Sequence, residues 1–594
     1  MKKQLEFMEP FLTEAELAQV EESDLDLAGL SQDPYPMVYM LGMDFSKVHA
    51  YGKGLMDEEG FSIAVNPSSV AAAILHAMDL IKEAKEQNDT ESFIYGYSDK
   101  DLASRLLVDQ GSTCLTLEKG KWYAERILDL WEGSLSTECA KKAARLLEKS
   151  PYVKVQHVEK DMLLYSNRKT LSEEREIAAL IKAKLGKQSL IQAGTEEIFG
   201  EIEKSQAALD CLLSQEQTLA VKMVLTNRLS ILTGGPGTGK TQTQKVCIDA
   251  FRRLCPSSRI ICIAPTGQAA KRMSEVTGQP AKTLHSFLRL KPGQMYPEDG
   301  EKLAERSLVI ADESSMLDTQ MCLSLLRSLH ERSHLLLVGD VAQLPSIGKG
   351  CVLKELIASE RIPVTRLTKI FRQKDNSIAF NSAKIHAGNP RLEYDGRFIF
   401  VHAEGSEEIA DQVCKIYKKE AAKEAPICLT PLRVNTETGV NRLNDRIRSE
   451  TRGDRDRYVT TSDGIRIAEG DKIVFLKNKN GLVNGEIGKA LKCEDSSLIC
   501  SFGGKLFTID EIDNLLPAYA QTVHKSQGNE YETGIIVCDP SHKRMLSKEI
   551  IYTAVTRCKS RLYIVGDMRV LEETVTSHGY ARSSGLSALL KSVC

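Results

Sequence analysis

No stretch of this sequence approaches the run of about 18 apolar residues that a membrane-spanning helix needs. No membrane partner is therefore expected. Lys2 and Lys3 are followed by no apolar segment, so no secretory signal is expected either. The 15 cysteines contain no CxxC pair. Most sit between apolar neighbours, as in Ile261-Cys262-Ile263 and Ile427-Cys428-Leu429. Buried, reduced thiols in a cytoplasmic protein fit this better than a zinc or disulfide framework. The net charge is only −3, so the chain as a whole is not a basic nucleic-acid coat. No internal repeat or long low-complexity tract is visible.

What is present is uneven. Residues 1–30 carry eight acids and two lysines, and residues 541–594 carry nine Lys/Arg and four acids. A local basic face can bind phosphates under a slightly negative total. With 594 residues the chain exceeds what a single core supports, so several domains are expected.

Residues 1–195 read as a mainly helical scaffold or partner-docking domain. Val70–Glu86 has apolar residues at helical spacing, and Trp122–Trp131 and Ala140–Leu147 resemble it. Ser69 is the expected N-cap of the first of these. From Leu212 onward, short β-branched runs alternate with helical stretches: Leu229–Thr233, Ile260–Ala264, Leu308–Ala311 and Leu335–Val338. Such runs read as buried parallel strands in a doubly wound sheet. This first α/β domain is placed at 196–355. A second, at 356–594, would include strands at Ile427–Leu429, Gly534–Val537 and Leu562–Val565. A Gly-rich insert at about 446–516 reads as a small β-barrel-like subdomain. Asn-Gly at 480–481 and 484–485 points to β-hairpins there.

Gly234-Gly235-Pro236-Gly237-Thr238-Gly239-Lys240-Thr241 matches GxxxxGK[ST], between a predicted strand and a predicted helix. Its glycines let successive backbone N–H groups point at phosphates, and the helix N-terminus favours negative charge. Lys240 would reach the β- and γ-phosphates of ATP, and the Thr241 hydroxyl would bind Mg²⁺. Asp312-Glu313 ends the apolar run Leu308–Ala311, about 70 residues further on. Asp312 is placed to hold Mg²⁺ through water, and Glu313 to act as general base on the attacking water. Gly339-Asp340-Val341-Ala342-Gln343 ends the next run. The Gln343 amide suits a γ-phosphate sensor, though taken alone it would better suit a simple turn.

In this order the segments resemble superfamily 1 helicases over about 212–570. Gln217 matches the adenine-reading glutamine. Pro265-Thr266-Gly267 and Thr283-Leu284-His285 match segments that touch DNA in that family. Ile370-Phe371-Arg372-Gln373 and Tyr552–Arg557 match the segments that bring Arg372 and Arg557 to the γ-phosphate. Gln521–Glu530 matches a segment shared between nucleotide and DNA; Gln527, Gly528 and Glu530 fall to the nucleotide side and His524, Lys525 and Ser526 to the DNA side. Hydroxyls such as Thr266, Thr283 and Ser526 suit sequence-independent phosphate contact. His285, His524 and Lys525 would add charge or stacking, with a structural histidine the lesser alternative for His285 and His524.

The finer wording, including GGPGTGKT, APTGQAAKRM, GDVAQLPSIGKG and TVHKSQGNEY, is similar to the RecD group. That resemblance implies two RecA-like domains and 5′→3′ movement on single-stranded DNA. It also implies a heterotrimer with RecB-like and RecC-like subunits acting on duplex ends, in double-strand break repair and recombination. No acidic cluster reads as a nuclease centre, so nuclease activity is expected on a partner. Two departures stand out. Ala311 precedes Asp312 and Ser314 follows Glu313, and the segment expected to form a strand-separating pin, 288–303, is short. A stand-alone helicase and a nucleotide-binding assembly subunit remain the alternatives.

Overall fold

The structure is a computed structural model. It describes residues 8–593 except 9, 24, 27–29, 31–32, 60–65, 87–98, 100–101, 103–105, 107–108, 110–111, 131–132, 159–160, 166–167, 291–304, 372–376, 434–435, 453–456, 480, 495–496, 544 and 578–581.

The N-terminal region is built around the 20-residue helix Pro67–Glu86. Its Val70, Ala71 and Ile74 are fully buried, and the helices Leu117–Ile127 and Thr137–Leu147 pack on it. The cap is Asn66, not the expected Ser69: the Ser68 N–H donates to Asn66 Oδ1 at 2.8 Å. Pro67 then takes the first helical position, where a missing N–H costs nothing. A small antiparallel sheet joins these helices, with β1 (Leu115–Thr116), β2 (Lys154–Val158) and β3 (Asp161–Tyr165) in the order β1-β3-β2. Strands this short show no readable period, which is why the helical expectation missed them.

The first large sheet has six parallel strands: β4 (Leu229–Gly234), β5 (Arg259–Ala264), β6 (Ala281–Thr283), β7 (Ser307–Ala311), β8 (His334–Gly339) and β9 (Val364–Leu367). Their order is β6-β5-β7-β8-β4-β9. All of β7 and β8 is buried, as expected of strands covered on both faces. The carboxyl ends of β4, β8 and β7 lie side by side, bringing the segments after Gly234, Gly339 and Ala311 to one edge. Ligands bind at such an edge in open α/β sheets. β9 pairs with β4, so this sheet runs past the boundary expected at 355. Without β9 the outer edge of β4 would be left unpaired.

The second large sheet is also parallel: β10 (Phe398–His402), β11 (Ile427–Thr430), β19 (Ala520–Thr522), β20 (Tyr531–Cys538) and β21 (Cys558–Gly566), in the order β10-β21-β20-β11-β19. Between β11 and β19 the chain forms the insert. A ribbon of β12 (Tyr458–Thr460) and β13 (Arg466–Ala468) precedes an antiparallel sheet of β14 (Lys472–Phe475), β15 (Ile487–Cys493), β16 (Leu498–Phe502), β17 (Lys505–Ile509) and β18 (Leu515–Pro517). Ile473, Phe475, Cys500, Phe502 and Leu515 form its core. Both Asn-Gly pairs fall in the single β14–β15 connection. Lys479 and Leu482 bond reciprocally around the first, and Gly485 has a φ of +87° at the second.

The helix Leu586–Val593 does not stay with the second sheet. It packs on the helices Arg168–Leu185 and Val352–Ala358. Leu586, Leu589 and Leu590 complete the core beneath β4, β7 and β8. The domain expected to run to 594 therefore gives up its last helix, because that apolar face buries against the first sheet's layer. No helix among the described residues is long and apolar enough to cross a membrane.

Candidate functional site

The loop after β4 turns at Gly237 and Gly239, whose φ values are +73° and +82°. A Cβ on Gly239 would lie 2.1 Å from Gln217 Nε2, so only glycine fits. Lys240, the first residue of the helix Lys240–Leu254, donates from Nζ to the carbonyls of Gly234 at 2.5 Å and Gly235 at 2.9 Å. Its ammonium thus sits over the loop. Gln217 lies beneath, 3% exposed. Its Nε2 donates to Thr238 O at 3.1 Å, and its Oε1 accepts from Ser214 N at 2.8 Å. The expected adenine-reading side chain is thus engaged by backbone, as a support for the loop.

This loop forms one wall of a cavity of about 330 Å³. Thr241, Asp312, Glu313 and Gln343 line it from the first sheet, and Gly528, Glu530 and Arg557 from the second. The fold therefore brings together residues more than 300 positions apart in the sequence. Among the described residues no cluster of three or more His, Cys, Asp or Glu could hold a metal ion alone.

Glu313 adopts a left-handed backbone, φ +49°, which turns its carboxylate into the cleft. Burial pushes this carboxyl above the usual range, while Arg557 pulls it back. Arg557 Nη1 stands 3.9 Å from Glu313 Oε1, with the arginine side chain 5% exposed. Nη1 also donates to Asn529 O at 3.3 Å. The buried Arg557 Nε has no hydrogen-bond partner. A guanidinium with an open donor, buried beside a P-loop, has the chemistry to receive a phosphate oxygen.

Further contacts cross the cleft. Tyr552 donates its hydroxyl to Asp340 Oδ2 at 2.8 Å. Gln343 Nε2 donates to the same oxygen at 3.3 Å. Leu344 N donates to Thr553 Oγ1 at 2.9 Å, and Gln527 Nε2 to Leu344 O at 3.1 Å. Gln527, expected at the nucleotide, instead ties the second sheet to the Gln343 loop. Glu530 pairs with Arg272 at 2.5 Å and Lys559 at 3.1 Å. Sequence reading did not single out Asp340, Tyr552, Thr553 or Arg272. Asp340 carried a visible signal: like Asp312, it ends an apolar run.

The residues expected at nucleic acid divide. Thr266 caps the helix Gly267–Thr277, accepting from Ala269 N at 3.2 Å. Thr283 accepts from Ser286 N at 3.2 Å. Pro265, Thr266 and Thr283 are half-buried, His285 and Lys525 exposed. Gly267 is covered by Val483 of the insert: a Cβ there would lie 2.7 Å from Val483 Cβ. Ser526 is fully buried and donates to Val523 O at 2.7 Å, which removes it from any surface contact. Burial, aided by Arg582, lowers the His524 pKa and favours the neutral ring. Arg372 and nearly all of the expected pin, residues 291–303 of it, lie outside the described residues.

Two family models match the chain: an AAA domain over residues 212–403 and a UvrD-like helicase C-terminal domain over 517–565. The ATP-dependent RecD2 DNA helicase of Deinococcus radiodurans is 32% identical over 427 residues, covering 70% of this chain and 57% of that protein. The RecBCD enzyme subunit RecD of Mycolicibacterium smegmatis is 27% identical, covering 64% and 75%. These matches support a RecD-type helicase of superfamily 1. This chain spans little more than half the length of its Deinococcus relative. A Pif1 helicase structure from Bacteroides, in complex with ADP-AlF3 and ssDNA, aligns at 18% identity and TM-score 0.41, over 62% of this chain and 95% of that one.

Proposed function

We propose that this chain is an ATP-driven motor that tracks single-stranded DNA in the 5′→3′ direction. The observation that carries the proposal is Arg557, held by the second sheet against Glu313 and the P-loop of the first. ATP would lie in this cavity, its phosphates on the P-loop amides and Lys240. Thr241 and Asp312 would hold Mg²⁺, which supplies charge neutralisation on the phosphates. Glu313 would take a proton from the attacking water, and Arg557 would meet the charge that develops. Gln343, tied to Asp340 and thence to Tyr552, would relay γ-phosphate occupancy to the second sheet. Closing and reopening of the cleft would then move one DNA grip past the other.

The RecD names among the relatives support a subunit that works with RecB-like and RecC-like chains on duplex ends. A stand-alone role is the second reading, favoured by the 32% identity to the Deinococcus helicase. Strand separation on duplexes with 5′ or 3′ single-stranded tails, with the chain alone and after co-expression with candidate partners, tests both points. Unwinding only from 5′ tails supports the polarity, and unwinding only from 3′ tails refutes it. Full activity of the isolated chain favours the stand-alone reading.

A further inference from the structure

The residues just before the last helix, 582–585, touch three parts of the molecule at once. Arg582 Nη1 donates to the carbonyls of Ser346 and, at 3.1 Å, of Gly348. Both carbonyls belong to the loop that follows Gln343 and Leu344. Ser346 closes this loop on itself, its hydroxyl 3.2 Å from Gly348 O and from Gly350 O. The loop's other end is held by the second sheet, through Leu344 N on Thr553 Oγ1 and Gln527 Nε2 on Leu344 O. The Arg582 charge also reaches His524, in the segment expected at DNA.

The residues after Arg582 are fixed to the N-terminal region. Ser583 O accepts from Thr113 N at 3.0 Å, and Ser583 N donates to Ser112 Oγ at 3.0 Å. Ser112 Oγ in turn donates to Asp109 Oδ1 at 3.2 Å. Glu174, fully buried on the helix Arg168–Leu185, joins the two sides. Its carboxyl oxygens accept from Ser584 Oγ at 2.8 Å and Gly585 N at 3.2 Å. They also accept from Thr113 Oγ1 at 2.6 Å and Tyr165 OH at 2.7 Å. Withdrawing any of these donors leaves a buried polar group short of a partner, which is costly. Only glycine fits at 585, where a Cβ would lie 1.9 Å from Tyr165 OH. The strap therefore cannot slip along the N-terminal region, and a shift of the loop at 346–350 must act on Arg582.

We propose that Arg582 is a positioning residue of the motor cycle: it anchors the loop behind Gln343, and residues 582–585 carry opening and closing of the cleft to the N-terminal region. Gln343 can report on a γ-phosphate only if the loop behind it has a fixed end. Leu344 moves with the second sheet, and Arg582 supplies that end. This rests on the motor reading above and adds a residue outside the stretch that resembles helicases.

The test is ATP turnover by the full chain, without DNA and with saturating oligodeoxythymidine. Arg582→Ala should keep the DNA-independent rate, the oligonucleotide affinity and the melting midpoint of the parent. Its DNA-stimulated rate should fall about tenfold, the weight of one charge-assisted hydrogen bond in a two-state balance. Arg582→Lys, which keeps a cation within reach of the carbonyls, should recover most of the loss. Gly585→Ala drives the strap off Tyr165 with Arg582 intact and should lose stimulation in the same way. Ser112→Ala, a milder cut in the same contact, replaces it if it melts early. Undiminished stimulation in folded Arg582→Ala would overturn the inference and leave the motor reading intact. Basal and stimulated rates that fall together with the melting midpoint, without rescue by lysine, would overturn it as packing alone. Full stimulation in the strap variants would overturn the link to the N-terminal region. If no single strand stimulates the parent chain, the motor reading beneath it fails as well.

Discussion

Arg557 Nη1 and Glu313 Oε1 face each other at 3.9 Å across the cleft between the two large sheets. One belongs to the segment after the helix Lys548–Thr556, the other to the end of β7. The contact links the group that would supply charge to the group that would take a proton, so each should alter the other's behaviour.

Arg557→Ala should reduce ATP turnover by about 10³- to 10⁵-fold, the range of an arginine finger. Nucleotide affinity should change far less. Single-turnover hydrolysis beside equilibrium nucleotide binding checks this. Equal losses in both would make Arg557 a binding residue only.

The pH profile gives a second check. Burial raises the Glu313 carboxyl above its ordinary value, and Arg557 opposes the rise. A general base must be ionised, so activity should climb with pH through that raised value. Removing Arg557 should move the acidic limb higher still, and residual turnover in Arg557→Ala is measurable for that purpose. Glu313→Gln should bind ATP without hydrolysing it. A limb that stays put in Arg557→Ala would uncouple the two groups.

Gly239→Ala should abolish nucleotide binding, since its φ is positive and a Cβ would strike Gln217. Gln217→Ala should be milder, loosening the loop from below and weakening nucleotide binding about tenfold, near 1.4 kcal/mol. Titration with a fluorescent ATP analogue measures both. Equal effects would show that Gln217 contacts the nucleotide itself.

Stability should depend on Glu355. Burial, reinforced by Glu174, pushes its carboxyl up to about 7. A carboxyl raised in the folded state adds stability that is complete below its unfolded value near 4.5 and is lost as pH rises through about 7. Glu355→Gln should therefore gain on the parent between pH 5 and pH 8, by about 1–2 kcal/mol after allowance for partial exposure. Urea unfolding at the two pH values provides the comparison, and a constant difference would contradict it.

The sequence made the candidate nucleotide site legible because the site is built from strand ends. Gly234, Asp312 and Gln343 each follow an apolar run that parallel pairing buries, and the P-loop pattern fixes which sheet edge they share. The partner side was harder to read. Tyr552, Thr553 and Gln527 act through side chains aimed across the cleft, which spacing within their own segment does not reveal. Ser526 failed as a surface residue because a 3₁₀ turn rotates it inward. The helix Leu586–Val593 was misplaced for a related reason. Its apolar face says that it must be buried, and only the fold says against what.

The most direct test is ATP turnover by the purified chain with and without single-stranded DNA, with Lys240→Ala measured in parallel. A DNA-stimulated rate that vanishes in the variant is the predicted result. Turnover that ignores DNA, or that survives loss of Lys240, would contradict the account of a P-loop motor driven across the Glu313–Arg557 cleft.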